Sequence, residues 1–343
     1  MLDVLTLEQS NKWDEIVKGF TDYDVYYLSG YVRAFQIHGD GEPLLFYYQD
    51  ANCKGINVVM KRDIASDVHF KELIKPNEYF DFATPYGYGG WLIEGTDVQN
   101  LFDTYEEWCI EHRIVSEFVR FHPVLKNHIF SEKAYDVVAL GETVAVDIKD
   151  KELIWANFNP KNRNVIRKAV NNGVEIKHGF SEELFNSFIS IYNGTMDKDN
   201  ADSYYYFKKE FFDSIRDHLK DQATIFYAEL NGRIIAASIM IFANKRLNYH
   251  LSGSLREYQN LAPSNLMLWK ASEWGNDIGC ITFHLGGGVG NAEDSLFKFK
   301  RAFYRGELCK YYIGKKVFNV TLYKELIEKR NEIKRQFFPE YRA

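Results

Sequence analysis

The sequence predicts an α+β protein of two domains, and three observations carry that prediction. The chain has 343 residues, and at about 150 residues per domain this length favours two. Each half mixes helix-patterned segments with strand-like runs. In the second half three such runs follow one another as a meander, and Asn231-Gly232 between the first two is a two-residue hairpin signal.

The elements follow in order. Residues 8–19 read as a helix and 25–35 as a second, aromatic-rich segment, followed by strand-like runs at 43–49, 55–61 and 80–84. After a glycine-rich turn, 98–113 has helical spacing through Leu101, Tyr105, Trp108 and Cys109, then strands are expected at 116–121 and 143–148. Residues 151–172 read as one helix ended by Gly173, where a left-handed conformation costs a glycine nothing. A strand at 174–177 precedes helices at 181–193, with Ser181 as N-cap, and at 206–219. The meander covers 223–230, 233–243 and 246–252; a helix at 265–277, a strand at 280–285 and a charged helix at 323–337 complete the chain. The expected domains are residues 1–148 and 149–316.

Composition narrows the function classes. With 46% hydrophobic and 26% charged residues the chain has ordinary globular usage, which excludes collagen, coiled-coil and disordered readings. Its 26 Phe, 23 Tyr and 6 Trp suit deep cores and clefts walled by rings. Cys53, Cys109, Cys280 and Cys309 have neither zinc-ligand nor disulfide-framework spacing, which fits a reducing cytoplasm. No signal peptide is expected from the acidic N-terminal stretch, and the longest apolar run, 234–243, is too short to span a bilayer. The net charge of −6 means that the surface as a whole does not attract nucleic acid. Locally, Lys298, Lys300, Arg301, Arg305, Lys310, Lys315 and Lys316 stand against one acid, Glu307, and Lys161, Arg163, Arg167 and Lys168 against none. Such patches suit phosphate-bearing ligands or a solvated helix face.

Four stretches could carry chemistry. Residues 260–265 (NLAPSN) lead into a helix, and helix N-termini present backbone N–H groups to phosphates or oxyanions; an ordinary helix start with Pro263 in its first turn has the same pattern. Residues 284–290 (HLGGGVG) follow a strand and let a ligand approach the backbone, yet match neither a Walker A loop nor a dinucleotide fingerprint. In 295–303 (SLFKFKRAF) phenylalanines alternate with bases. With Phe299 packed inward, Lys300 would sit at the edge of an aromatic floor, able to neutralise a carbonyl oxygen during acyl transfer. Residues 81–90 (DFATPYGYGG) would make a tyrosine-rich rim, or a tight turn with buried tyrosines. His122 and His284 each end a strand and read first as hydrogen-bonded structural histidines. No metal-ligand spacing and no GxSxG elbow occurs, so neither a bound metal nor a permanently bound cofactor is expected.

Five stretches taken together resemble the FemAB-type peptidyltransferases and related polysaccharide-pathway acyltransferases, built on the GNAT (N-acetyltransferase-like) fold. They are 81–90, 155–173 (WANFNPKNRNVIRKAVNNG), 192–207 (YNGTMDKDNADSYYYF), 261–274 (LAPSNLMLWKASEW) and 285–303 (LGGGVGNAEDSLFKFKRAF), in family order. The resemblance implies two GNAT-like domains in tandem facing a shared cleft, with the C-terminal helix, 317–343, returning to the first. It implies transfer of an aminoacyl or acyl group onto an amine of a peptidoglycan, cell-wall or polysaccharide precursor. The donor would be aminoacyl-tRNA or acyl-CoA, with no DNA partner, and a lipid-linked acceptor would bring peripheral membrane contact. Other readings are an acyl-CoA-dependent N-acyltransferase on a nucleotide- or lipid-linked sugar, and a non-catalytic binding module.

By position Phe299-Lys300 matches the family's Phe-Lys pair, whose lysine stabilises the tetrahedral intermediate. Lys198 lies near a basic residue that binds acceptor phosphates, and Arg33 matches another more loosely. Tyr86, Tyr88, Tyr205, Ser264, Asn265, Gly287 and Arg301 complete the expected binding set. Asp81 and His284 are the candidates if a base is needed. The chain departs from the family in three places. Residues 259–264 lack the glycines of the usual GNAT pyrophosphate loop, no coiled-coil arm is inserted, and His284 stands where an acid is frequent.

Overall fold

The computed structural model describes residues 1–291, 293–330 and 337–343. In chain order the first elements are β1 (Leu2–Leu5), α1 (Ser10–Lys18), α2 (Ser29–His38), β2 (Glu42–Gln49), β3 (Cys53–Asp63), β4 (Phe80–Ala83) and β5 (Leu92–Gly95). Next come α3 (Gln99–Glu111), β6 (Ile114–Arg120), α4 (His128–Ser131), β7 (Asp136–Asp147), α5 (Lys151–Asn157), α6 (Pro160–Asn171) and β8 (Glu175–Gly179). Then follow α7 (Glu182–Lys198), α8 (Lys209–His218), β9 (Ala223–Leu230), β10 (Arg233–Ala243) and β11 (Arg246–Ser254). The last are α9 (Pro263–Asp277), β12 (Thr282–Gly286), α10 (Ser295–Arg301), β13 (Cys309–Val317) and α11 (Val320–Lys329).

The chain forms two compact units, Met1–Leu140 with Tyr311–Ala343, and Gly141–Lys310. These limits differ from the expected 148 and 316 for a local reason at each crossing. The second half of β7 pairs with β12, from Val144 to Asp147, so the second unit begins within that strand. Ile313–Val317 of β13 pair antiparallel with β6, so this strand as well as α11 belongs to the first unit. The part of the expected tail helix at 331–336 lies outside the described residues.

In the first unit β1, β2, β3 and β4 pair antiparallel in sequence, β4 runs parallel to β6, and β5 pairs with β3. Parallel neighbours need a crossover, and α3 lies on the path between β4 and β6. Phe46, Phe82, Trp91, Leu101, Tyr105 and Phe121 are buried in its core. A second cluster gathers Ile64, Phe70 and Val115 with Tyr323, Leu326 and Tyr341 from the end of the chain.

The second unit uses the same logic. Strands β8 to β11 pair antiparallel, α9 crosses over, and β12 returns parallel to β11 and antiparallel to β7. The parallel register of β11 with β12 covers Arg246–Asn248 only, although β11 continues to Ser254. Helix α9 packs over β8 to β11, and Leu266, Met267, Leu268 and Ala271 join Val146, Ile235, Met240, Leu247 and Phe283 in the core.

One expected helix divides. Residues 151–172 form α5 and α6, because Pro160 excludes the helical conformation at Asn159, which lies at φ −57° and ψ 139°. Asn159 instead caps α6, its Oδ1 accepting from the Lys161 N–H at 2.8 Å.

Candidate functional site

Helix α10 starts at Asp294, whose Oδ1 accepts the Phe297 N–H at 2.8 Å. Residues three apart share a helix face. Phe297 and Lys300 therefore turn inward together, 6% and 8% exposed. The expectation placed Lys300 at the edge of an inward-packed Phe299; Phe299 does pack against the core cluster, but Lys300 is itself buried. Phe299 is half-buried, its ring edge-on to Phe303 at 5.5 Å, while Lys300 shares the more deeply buried stripe with Phe297.

The Lys300 ammonium donates to the Gly287 carbonyl at 2.7 Å. Burial drives its pKa from the ordinary 10.5 down to about 8, with the Asp294 carboxylate pulling the other way. At pH 7 roughly nine-tenths of such a group still carries its charge. The loop that presents Gly287 has positive φ at Gly286 (80°) and Gly290 (58°), a conformation side chains resist. A Cβ on Gly287 itself would stand 3.0 Å from the Glu142 carbonyl oxygen. The three-glycine run thus turns a carbonyl toward α10 while passing close to β7.

Two further expected residues gather near this helix. Asn265, in the first turn of α9, donates through Nδ2 to Asn162 Oδ1 at 2.8 Å, and Asn162 Nδ2 donates to the Ala302 carbonyl at 3.3 Å. Arg301 is occupied by backbone. Its guanidinium donates to the carbonyls of Tyr304, Gly306 (2.9 Å) and Arg305 (3.5 Å). These bonds close the turn after α10. Beside it a cleft of about 430 Å³ is lined by Asn159, Glu293, Phe297, Lys298, Arg301, Ala302 and Leu308. Lys300 is not among its lining residues.

The remaining expectations fall elsewhere. His284 on β12 is 3% exposed, and its Nε2 lies 3.0 Å from the Thr143 hydroxyl of β7, a hydrogen-bonded structural setting. Ser264 sits half-buried at the start of α9, after Ala262 in the left-handed region. Lys198 ends α7 and pairs with Asp199 at 3.2 Å. Tyr205 is 37% exposed, and its carbonyl accepts from Tyr192 Oη at 2.9 Å.

In the first unit Arg33 donates to the Leu7 carbonyl at 3.3 Å. Tyr86 and Tyr88 are half-buried in an aromatic nest. Tyr86 stacks on Phe35 at 5.5 Å, and Tyr88 meets Tyr26 edge-on at 5.5 Å and Tyr311 at 5.7 Å. His122 beside them is fully buried, with Nε2 3.0 Å from Asp24 Oδ2.

Asp81 is no base in this arrangement. Fully buried, it accepts from Arg62 Nε at 2.7 Å, Arg342 Nε at 2.6 Å and Tyr341 Oη at 2.9 Å. Burial alone would raise its pKa, but the two guanidiniums outweigh it and hold the carboxyl below the ordinary carboxylate range. A carboxylate so held keeps a fold together and gives up basicity.

Two residues were not singled out by sequence reasoning. Asn162 is 4% exposed on the stripe it shares with Ile166 and Ala169, and a polar residue on such a stripe was its signal. Asp294 precedes the helix by the spacing of an N-cap, which was legible too. Among the described residues no group of three or more His, Cys, Asp or Glu is placed to hold a metal ion, and no helix is long and apolar enough to cross a membrane.

Known proteins match this architecture. The sequence model of the acetyltransferase (GNAT) domain matches residues 160–301, a span that includes Asn162, the glycine loop and Lys300. A UDP-N-acetylmuramoylpentapeptide-lysine N(6)-alanyltransferase from Weissella viridescens is 25% identical over 178 residues, 50% of this chain and 51% of the relative. The chain thus aligns with about half the length of that curated relative. The crystal structure of FemX superposes with a TM-score of 0.67 at 13% identity, covering 95% of this chain and 99% of that one. The C-terminal domain of a putative lysylphosphatidylglycerol synthetase from Agrobacterium fabrum gives 0.56 at 12%, covering 94% and 96%. Residues 160–301 thus match the GNAT acetyltransferase domain, and the chain is similar in sequence to an alanyltransferase over half its length and in fold to FemX.

Proposed function

We propose that this chain is an acyltransferase that moves an aminoacyl group onto an amine of a cell-wall precursor, with Lys300 stabilising the oxyanion. The observation that carries the reading is the buried Lys300 ammonium, fixed against the Gly287 carbonyl at 2.7 Å. The acceptor amine attacks the ester carbonyl carbon of the donor, and the carbonyl oxygen becomes negative. An ammonium offers three N–H donors, of which the Gly287 bond uses one, and in a site of reduced dielectric a fixed charge needs little reorganisation. The intermediate collapses with cleavage of the C–O ester bond, and the departing hydroxyl oxygen or solvent takes the amine proton. No side-chain base is required, which agrees with the ion-paired state of Asp81 and the Thr143 contact of His284.

The Weissella relative's name supplies the acceptor and the transferred group to test: a muramoyl-pentapeptide lysine and an alanyl residue. Aminoacyl-tRNA is the proposed donor. The 259–264 turn passes through left-handed Ala262 and has no glycine, which suits the pyrophosphate of acyl-CoA poorly. Binding of an RNA donor weakens steeply with salt, so a salt-insensitive donor affinity would overturn that assignment.

The test is Lys300→Ala with alanyl-tRNA and UDP-N-acetylmuramoylpentapeptide, product and acceptor binding both measured. Loss of an oxyanion donor costs about 10² to 10³ in turnover with acceptor binding retained. Unchanged turnover removes Lys300 from this role. Saturable acceptor binding with no product from wild-type protein favours a binding module instead.

A further inference from the structure

Lys300 is held from two sides, and one residue joins them. The Gly287 carbonyl that receives its ammonium belongs to the loop after β12, whereas the lysine stem grows from α10. Asp294 touches both. Its Oδ1 accepts from the Phe297 N–H at 2.8 Å, which caps α10, and its Oδ2 accepts from the Val289 N–H at 3.0 Å, which ties down the loop two residues beyond Gly287. Each oxygen of one carboxylate thus fixes one of the two backbone segments that set the ammonium's position. The loop needs such a tie, because Gly286 to Gly288 have no side chains to hold them.

The same carboxylate acts on the lysine through space, its negative charge opposing the effect of burial. Lys298 and Arg301 share helix α10 with Lys300, His284 lies on β12, and the Glu142 backbone carbonyl of β7 would stand 3.0 Å from a Cβ on Gly287. Arg301 is turned to the carbonyls of residues 304–306, and His284 to Thr143. The Asp294 carboxylate favours the charged form of Lys300.

We infer that Asp294 is the positioning residue for Lys300, a carboxylate clip that holds the glycine loop and α10 in register so that the ammonium meets the oxyanion. This rests on the acyl-transfer reading for its consequence in turnover, but the clip itself is testable without it.

Asp294→Asn keeps an oxygen for the Phe297 N–H, but removes the charge and turns an NH₂ toward the Val289 N–H. Asp294→Glu restores the charge on a longer arm. The reactivity of Lys300 is read by competitive labelling with acetic anhydride at pH 7 and peptide mass spectrometry, with near-UV circular dichroism as the folding control. In folded Asp294→Asn, Lys300 should label severalfold faster than in wild type, because more of it is neutral and its anchor is looser. With alanyl-tRNA and UDP-N-acetylmuramoylpentapeptide, kcat should fall about tenfold, short of the ~10²-fold cost of a full ångström of misplacement, with little change in KM. Asp294→Glu should recover part of both. Equal Lys300 labelling in wild type and folded Asp294→Asn overturns the clip, even where transfer proves to depend on Lys300. Altered labelling with no transfer by any of the proteins supports the clip and overturns the acyl-transfer reading.

Discussion

Replacing Lys300 by methionine should make the protein more stable while removing its activity. Folding takes the ammonium out of water, leaving the residue 8% exposed, and lowers its pKa from 10.5 to about 8. At about 1.4 kcal/mol per unit this is roughly 3 kcal/mol against the folded state at pH 7. Methionine fills most of the same space without charge. It leaves the Gly287 carbonyl without its donor, at a cost of about 1 to 2 kcal/mol. The expected net gain is therefore about 1 to 2 kcal/mol. The sign of the pH dependence follows from the folded pKa lying below the unfolded one. Between pH 8 and 10.5 the unfolded chain binds the extra proton, so the wild type gains stability with rising pH and the variant does not. Urea unfolding followed by tryptophan fluorescence, both proteins in parallel at pH 7 and pH 10, gives the two differences. A variant less stable at pH 7, by the same amount as at pH 10, would refute a desolvated ammonium at this position.

Asp81→Asn should destabilise the first unit by about 3 to 5 kcal/mol in urea, because Arg62 and Arg342 lose the buried carboxylate that pairs them. The lowered Asp81 pKa also means that its contribution, present above pH 3.8, fades as pH falls through the folded value, so the wild-type advantage should shrink in acid. Tyr341→Phe removes the hydroxyl shared with Asp81 (2.9 Å) and Ser116 (2.8 Å) and should cost about 1 to 3 kcal/mol. Glu117 is fully buried, and burial raises its pKa despite donors on Tyr135, Asn57 and Tyr105. A raised carboxyl contributes stability below pH 4.5 that is lost as pH rises through the folded pKa, so Glu117→Gln should gain on wild type from pH 4.5 to 7. A pH-independent difference between them would contradict this.

Local chemistry made much of the fold legible. Asn231 and Gly232 take positive φ, 51° and 78°, as a two-residue hairpin turn demands, and β9 and β10 flank them. Ser181 caps α7 through a bond from Leu184, as read from sequence. Elements made by distant pairing were not legible. β1 is defined by β2, forty or more residues on, and β13 by β6, about two hundred residues earlier. In β13 the buried Tyr311 and Ile313 are hidden among Lys310, Lys315 and Lys316, so the segment reads as a basic surface. The site followed the same division. The lysine and the glycine run could be picked out by residue type. That Lys300 shares the more deeply buried stripe with Phe297 follows from the helical period once α10 is known to be a helix. The fate of Asp81 could not be foreseen, because the residues that neutralise it include Arg342, 261 positions away in the chain.

The most direct test of the account is the rate of aminoacyl transfer in wild type divided by that in Lys300→Ala, followed from pH 6 to pH 10 under single-turnover conditions. Titration of the acceptor amine cancels in this ratio. The account predicts a ratio of about 10² to 10³ at pH 7 that falls as pH rises through about 8, where the Lys300 charge is lost. A ratio near one, or one that stays constant across this range, would contradict it.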